Sequence, residues 1–211
     1  MNALILVDIQ NDFCPGGALA VPEGDRIIET LNRLQPVFDV VVATQDWHPP
    51  AHGSFASVHG KQPGDMHELD GLPQVMWPDH CTHGSEGAEL HPILDTDRIE
   101  AIFRKGTDPT IDSYSGFFDN ARRRRTGLAG FLQEKGVSQV YVAGLATDYC
   151  VKFTALDAAS LGFTTYLIED ASRGVELEPG DVARAVSELK LEGVKVVTSQ
   201  EVLDRLGAVK S

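Results

Sequence analysis

Three residues that could share one reaction follow three separate apolar runs. Asp8 comes directly after ALILV, Lys105 lies just past IEAIF, and Cys150 sits in GLATDYC beyond QVYVAG. A cysteine nucleophile needs a base to take its proton and a cation to hold the resulting charge. Asp8 has the chemistry of the base, and later of the acid; Lys105 has that of the cation. A helix expected to begin near Thr147 or Asp148 puts Cys150 in its first turn, where backbone N–H groups and the helix dipole favour a thiolate. Each residue also has an ordinary reading: Asp8 as a loop cap, Lys105 as a solvated lysine, Cys150 as a small buried hydrophobe. The helix terminus favours the nucleophile at Cys150, whereas Cys14 and Cys81 read as small hydrophobes.

A second set has the donors of a metal site. Asp46 and His48, in QDWH, are two residues apart, so an extended segment projects both to one side. His80 follows in WPDHC. Two imidazoles and one carboxylate suit Zn²⁺, Fe²⁺ or Mn²⁺ and leave positions open for water or substrate. The alternative is that they are ordinary loop histidines. His52, His59 and His67 are further possible donors better read as loop residues, and His83 and His91 have weaker claims. Phe13, Trp77 and Tyr114 flank these motifs and could stack on a flat ring, although core packing is the usual fate of an aromatic. The run Arg122–Arg125 reads as a solvated helix start or a contact with an acidic neighbour.

The elements that must position these residues alternate along the chain. Strands are expected at Ala3–Val7, Asp39–Thr44, Ile99–Phe103, Gln139–Gly144, Phe163–Ile168 and Val194–Val197. Helices are expected over Gly24–Leu34 with Pro36 as its stop, Leu128–Lys135, Asp148–Leu161 and Asp181–Leu191, and in a short last segment capped by Thr198 with Glu201. Strand alternating with helix argues for a single three-layer α/β/α domain over residues 1–211 with a mainly parallel sheet. In such sheets ligands bind beyond the carboxyl ends of the strands. Residues 47–98 break the rhythm: rich in His, Pro and Gly, they read as a long functional loop region carrying the metal donors.

Composition narrows the partners. Lys plus Arg is 18 and Asp plus Glu is 31, a net charge of −13. A chain this acidic repels phosphate backbones and offers no basic anchor to anionic membranes. No apolar run approaches the roughly 20 residues of a membrane helix. The opening MNALILVDIQNDF has no basic start or cleavage site and is not read as a signal peptide. Three cysteines without a CxxC pair fit a reducing cytoplasm.

Taken in order, VDIQNDFCPGGAL, QDWHPPAHGSFAS, DGLPQVMWPDHC, FRKGTDPTIDSYSGFFDN, VAGLATDYCVKFTALDA and DASRGV span nearly the whole chain. Together they resemble the bacterial nicotinamidase/pyrazinamidase group of the isochorismatase-like cysteine hydrolase superfamily. The resemblance implies the isochorismatase-like fold and hydrolysis of nicotinamide to nicotinic acid and ammonia through a cysteine thioester, in NAD salvage, with pyrazinamide as a second substrate. A related hydrolase acting on another small amide is the alternative. The resemblance makes Asp8, Lys105 and Cys150 the catalytic triad and Asp46, His48 and His80 the ligands of one divalent ion, Zn²⁺ ahead of Fe²⁺ or Mn²⁺. Phe13, Trp77 and Tyr114 become pocket aromatics, and the N–H groups of Ala146 and Cys150 the oxyanion hole. It also implies a cis peptide at Ala146–Thr147, and a monomer or small homo-oligomer.

Overall fold

A computed structural model describes residues 1–210, without the side chains of residues 209 and 210. The strands are β1 (Asn2–Val7), β2 (Val40–Asp46), β3 (Met66–Leu69), β4 (Leu72–Val75), β5 (Ile99–Lys105), β6 (Gln139–Leu145), β7 (Thr164–Arg173) and β8 (Lys195–Val197). The helices are α1 (Ile28–Leu34), α2 (Ala56–His59), α3 (Leu128–Glu134), α4 (Lys152–Ser160), α5 (Asp181–Leu191) and α6 (Ser199–Lys210). Six strands form one parallel sheet in the order β5-β2-β1-β6-β7-β8.

Both faces of that sheet are covered, which is why β1 is apolar at every position from Ala3 to Val7. Leu4 and Leu6 pack with Ile28, Leu31, Leu34, Val202 and Leu206 from α1 and α6. Ala3, Ile5 and Val7 pack with Leu128, Leu132, Ala155, Ala158, Val186 and Leu189 from α3, α4 and α5. The order of strands reverses at β1: β2 and β5 lie to one side, and β6, β7 and β8 to the other. A crevice opens at the carboxyl end of such a switch point. Gly144 lets β6 pass close to β1 there, since a Cβ at this position would lie 2.2 Å from the Val7 carbonyl oxygen.

Several boundaries differ from the expected ones. Strands β2 and β5 each run two residues further, to Asp46 and Lys105, and β7 continues to Arg173. The expected helix over Gly24–Leu34 opens as a 3-10 turn at Gly24–Ile27 and ends at Leu34 as expected, with Pro36 inside the 3-10 turn that follows. Cys150 lies in a π-helical turn, Thr147–Val151, that precedes α4. The cis peptide is Leu145–Ala146, one bond before the implied Ala146–Thr147. Residues 47–98 contain regular structure: α2 and a β3–β4 hairpin turning on Asp70-Gly71, both with positive φ. The expected cap at Thr198 is present, its N–H donating to Glu201 Oε2 at 2.7 Å.

Candidate active site

Asp8 follows β1, Asp46 ends β2, Lys105 ends β5 and Cys150 follows β6, so parallel packing brings all four to one edge. Asp46 and Lys105 are register partners on adjacent strands. Lys105 is completely buried, contrary to the ordinary expectation for a lysine. Its Nζ lies 2.8 Å from Asp46 Oδ1, 2.9 Å from Asp8 Oδ2, 3.0 Å from the Ser113 carbonyl oxygen and 3.4 Å from Cys150 Sγ. An ammonium has three protons for these four neighbours, and the thiol is the most distant. Burial pulls the Lys105 ammonium down, but Asp46, then Asp8, then Cys150 hold it well above its usual range. It is a fixed positive charge.

The two groups that would exchange a proton are both pushed up. Burial raises the Asp8 carboxyl, against the opposing pull of Lys105 and a 2.6 Å hydrogen bond from Thr44 Oγ1. Burial also raises the Cys150 thiol well above its usual value; Lys105 opposes this, while Asp8 and Asp46 add to it. This corrects the expectation that a helix start would favour a thiolate. Burial and then the acidic neighbours raise the thiol's pKa, so it keeps its proton until a base removes it. Asp8 shares the Lys105 ammonium with that thiol and is the base at hand.

On the other side of Asp46 stand two imidazoles. His48 Nδ1 lies 2.9 Å from the Gly106 carbonyl oxygen and His80 Nδ1 2.8 Å from that of Pro78. A carbonyl only accepts, so each Nδ1 carries a hydrogen and each ring turns Nε2 inward. These Nε2 atoms lie 3.3 and 3.5 Å from Asp46 Oδ2. His48 Nε2 is buried without a hydrogen-bond partner among the described residues. Burial lowers the His48 imidazole, but Asp46 pushes it up to about 9. Burial raises Asp46, while Lys105 and then His48 bring it well below the carboxylate range. Two imidazoles oriented by backbone carbonyls around one ionised carboxylate have the donor chemistry of a divalent cation site. Asp46, His48 and His80 therefore fit such an ion. Gly106 is required beside them, since a Cβ there would meet the His48 ring at 2.4 Å.

His48, His52 and Asp112 form a second group of close donors. His52 has no free nitrogen: Nε2 donates to the Asp108 carbonyl oxygen at 2.7 Å, and Nδ1 lies 2.8 Å from Ser54 Oγ. Burial, then His48, lowers its pKa. Neutral and fully bonded, it packs on His48 with ring centroids 4.4 Å apart and braces it.

A cleft of about 20 Å³ lies beside Cys150, lined by Phe13, Leu19, Trp77, His80, Tyr114, Ala146, Tyr149 and Val175 among others. It has room for about one water molecule. Phe13, Trp77, Tyr114 and Ala146 are thus together with Cys150, next to Asp46 and His80. Asp148, in the turn that carries Cys150, accepts from the N–H groups of Val175 and Glu176 at 2.9 and 2.8 Å and ties Val175 to that turn.

Sequence reasoning missed the residues that hold these loops. Gln10 accepts from the Asp46 N–H at 2.8 Å and donates to the carbonyl oxygens of Asp46 and Ala88. Asp12 accepts from the Cys81 N–H at 2.7 Å and thereby ties the Phe13 turn to the His80 loop. Both lie within VDIQNDF, where polar residues alternate with apolar ones and nothing in the sequence marks these two as clasps. The run Arg122–Arg125 supplies contacts with acidic neighbours, as Arg122, Arg123 and Arg124 pair with Asp157, Asp70 and Asp108. It does not start a helix; α3 begins at Leu128.

The isochorismatase domain family matches residues 2–201, and the chain belongs to that family. It is 54% identical over 201 residues to the nicotinamidase of Escherichia coli (strain K12), covering 93% of this chain and 94% of that one. A solved nicotinamidase/pyrazinamidase of Acinetobacter baumanii superposes with a TM-score of 0.93 at 48% identity, over 96% of this chain and 98% of that one. A Pyrococcus horikoshii pyrazinamidase solved in complex with zinc superposes with a TM-score of 0.76 at 42% identity, over 93% and 98% of the two chains.

Proposed function

We propose that this chain hydrolyses nicotinamide to nicotinic acid and ammonia. The observation that carries the reading is the Lys105 ammonium, which joins Asp8, Asp46 and the Cys150 thiol at the floor of an aromatic cleft. The nicotinamidases of high identity support the substrate. In this reading the cleft's aromatic residues Phe13, Trp77 and Tyr114 receive the ring. Pyrazinamide carries the same carboxamide on a flat ring and is a second substrate; the relative named as a pyrazinamidase supports that.

Asp8 takes the proton of Cys150, and the thiolate attacks the amide carbonyl. Burial raises the Asp8 carboxyl, which makes it a stronger base than an exposed carboxylate. Lys105 stabilises whichever of the two is the anion. The N–H groups of Ala146 and Cys150 stabilise the oxyanion; one such donor is typically worth about 10²–10³ in rate. Asp8 returns the proton to the leaving nitrogen, ammonia departs, and a thioester remains. Asp8 then takes a proton from water as the water oxygen attacks the thioester; the C–S bond breaks, Asp8 passes that proton to the departing sulfur, and nicotinic acid and the Cys150 thiol are released. Held by Asp46, His48 and His80, a divalent ion, Zn²⁺ in our reading, would supply a Lewis acid that anchors the ring nitrogen directly or through water.

The three cysteines are free and buried, which supports a reducing cytoplasm as the place of action. Among the described residues no helix is long and apolar enough to cross a membrane. A monomer or small homo-oligomer is our reading of the assembly.

The test is release of ammonia and nicotinic acid from nicotinamide by purified protein, with Cys150→Ala beside it. Turnover by the wild type alone establishes the reaction and the nucleophile. A folded, metal-loaded wild type that releases no ammonia from nicotinamide overturns the reading.

A further inference from the structure

Gln74 is a buried amide on β4, outside the set of residues that line the cleft. Its Nε2 lies 2.9 Å from the Tyr114 hydroxyl, 3.1 Å from Asp112 Oδ2 and 2.8 Å from the Val75 carbonyl oxygen. Trp77 Nε1 donates to the same Tyr114 oxygen at 3.2 Å. The other Asp112 oxygen accepts from the Ser113 N–H at 2.8 Å. One chain of contacts therefore runs from Asp112 through Gln74 and Tyr114 to Trp77. Burying an amide is costly unless it is bonded, and a bonded network specifies one arrangement of its members.

The two sides of the cleft differ in this respect. Trp77 and Tyr114 are held by that network and packed edge-to-face on Tyr149, with centroids 4.8 and 5.4 Å away. Phe13, Leu19 and Val175, also lining the cleft, have apolar side chains that no hydrogen bond can fix. With so little enclosed volume, a pyridine ring enters only by displacing one side. The side whose backbone alone is hydrogen-bonded, and whose side chains are held only by packing, yields first.

Resting on the reading of this cleft as the amide site, we propose that Gln74, backed by Asp112, is a positioning residue that makes Trp77 and Tyr114 the rigid wall against which ring size is measured. Gln74 touches no substrate; it acts through the Tyr114 hydroxyl. A single six-membered ring fits by displacing the apolar side alone. A fused bicyclic ring would need both walls to move, and the network opposes that.

The experiment compares nicotinamide with quinoline-3-carboxamide as substrates of the wild type, Gln74→Leu, Tyr114→Phe and the double variant. Gln74→Leu is expected to raise KM for nicotinamide about tenfold, the typical effect of leaving a buried hydrogen-bonding group unpaired. The kcat should change far less, and the preference for the single ring should shrink. The two substitutions break the same link, so the double variant should do little more than either single one. A second readout does not depend on turnover. The chain has two tryptophans, so in a Trp47→Phe background Trp77 is the sole indole, and Gln74→Leu should shift its emission.

A fall in kcat at constant KM would place Gln74 in the chemistry and overturn the proposal. An unchanged ring preference overturns it as well, whatever the emission does, and so does additivity of the two substitutions. If the wild type releases no ammonia at all, the function fails first; an unmoved Trp77 emission then sinks the positioning role separately. Should Gln74→Leu not fold, Asp112→Asn, which weakens the same link from its other end, takes its place under the same criteria.

Discussion

The strand-end half of the site and its loop half are equally buried but are built by different means. Asp46, Lys105, Asp8 and Cys150 stand at or just beyond the ends of parallel strands, so the backbone ladder fixes their spacing. His48, Trp77 and His80 lie on irregular chain, and single polar side chains hold that chain in place. Gln10 grips the backbone on both sides of Asp46, Asp12 grips Cys81, and Gln45 donates to the Ala88 carbonyl oxygen at 2.9 Å. The first half draws its geometry from the fold as a whole, whereas the second depends on individual hydrogen bonds. The two should therefore fail differently when altered.

The largest effect is expected at Lys105, where the halves meet. Lys105→Met leaves Asp8 and Asp46 buried without their cation, and removing one partner of a buried ion pair costs about 3–5 kcal/mol. For a chain of this size that lowers Tm by roughly 6–20 °C, and turnover should be lost as well. A thermal melt decides the point: a Tm within two degrees or so of the wild type would mean that the strand ends do not depend on their charge balance.

Next come the metal donors. His48→Ala removes a ligand from the loop half, so substrate binding should weaken more than folding. Metal affinity should fall at least 10–100-fold, the range already seen for changes to residues around a ligand, and KM for nicotinamide should rise. Metal analysis alongside a melt separates the outcomes. Collapse of the fold on removing the metal would make the site structural and erase the distinction between the halves.

A subtler difference concerns pH. Asp8 acts as a base only when ionised, and its pKa is raised by burial. The rate constant kcat/KM should therefore fall as pH drops through a value above the usual carboxylate range. The stability consequence has the opposite sign. The fold favours protonated Asp8, so this group's contribution is full below its unfolded pKa and is lost as pH rises through the folded one. Asp46, held low, contributes above its unfolded pKa and loses that contribution as pH falls through the folded one. A kcat/KM profile flat down to pH 4 would remove Asp8 from the role of base.

The same contrast explains what the sequence disclosed. The sheet was legible because apolar runs buried on both faces announce parallel strands. Its ends were read two residues short at β2 and β5, where Gln45, Asp46, Arg104 and Lys105 end the apolar run while the ladder continues. The site lies in those residues, so the pattern stopped where the chemistry began. Asp46, His48 and His80 were legible by type, but the clasps Gln10, Asp12 and Gln74 were not, because a polar side chain bonded inside the fold resembles a surface one until its partners are known. The β3–β4 hairpin had the Asp-Gly signal of a tight turn. Its strands are four residues each; β3 alternates only between exposed and half-buried, and the one buried residue of β4 is the polar Gln74, which left no apolar period to read.

The smallest effect belongs to the outside of the loop half. Arg123 pairs with Asp70 at the hairpin turn, with side chains 62% and 36% exposed. Solvent screens such a pair, and ordering two side chains offsets much of its attraction, so exposed pairs are worth about 0.2–1 kcal/mol. Arg123→Ala should lower Tm by less than about 4 °C and leave KM unchanged. The hairpin's link to the cleft is Gln74, and Gln74 bonds inward to Asp112 and Tyr114 rather than outward to the arginines. If Arg123→Ala raised KM as Gln74→Leu is expected to, the surface pair would be setting the cleft wall. The loop half would then be held from outside as well as from within.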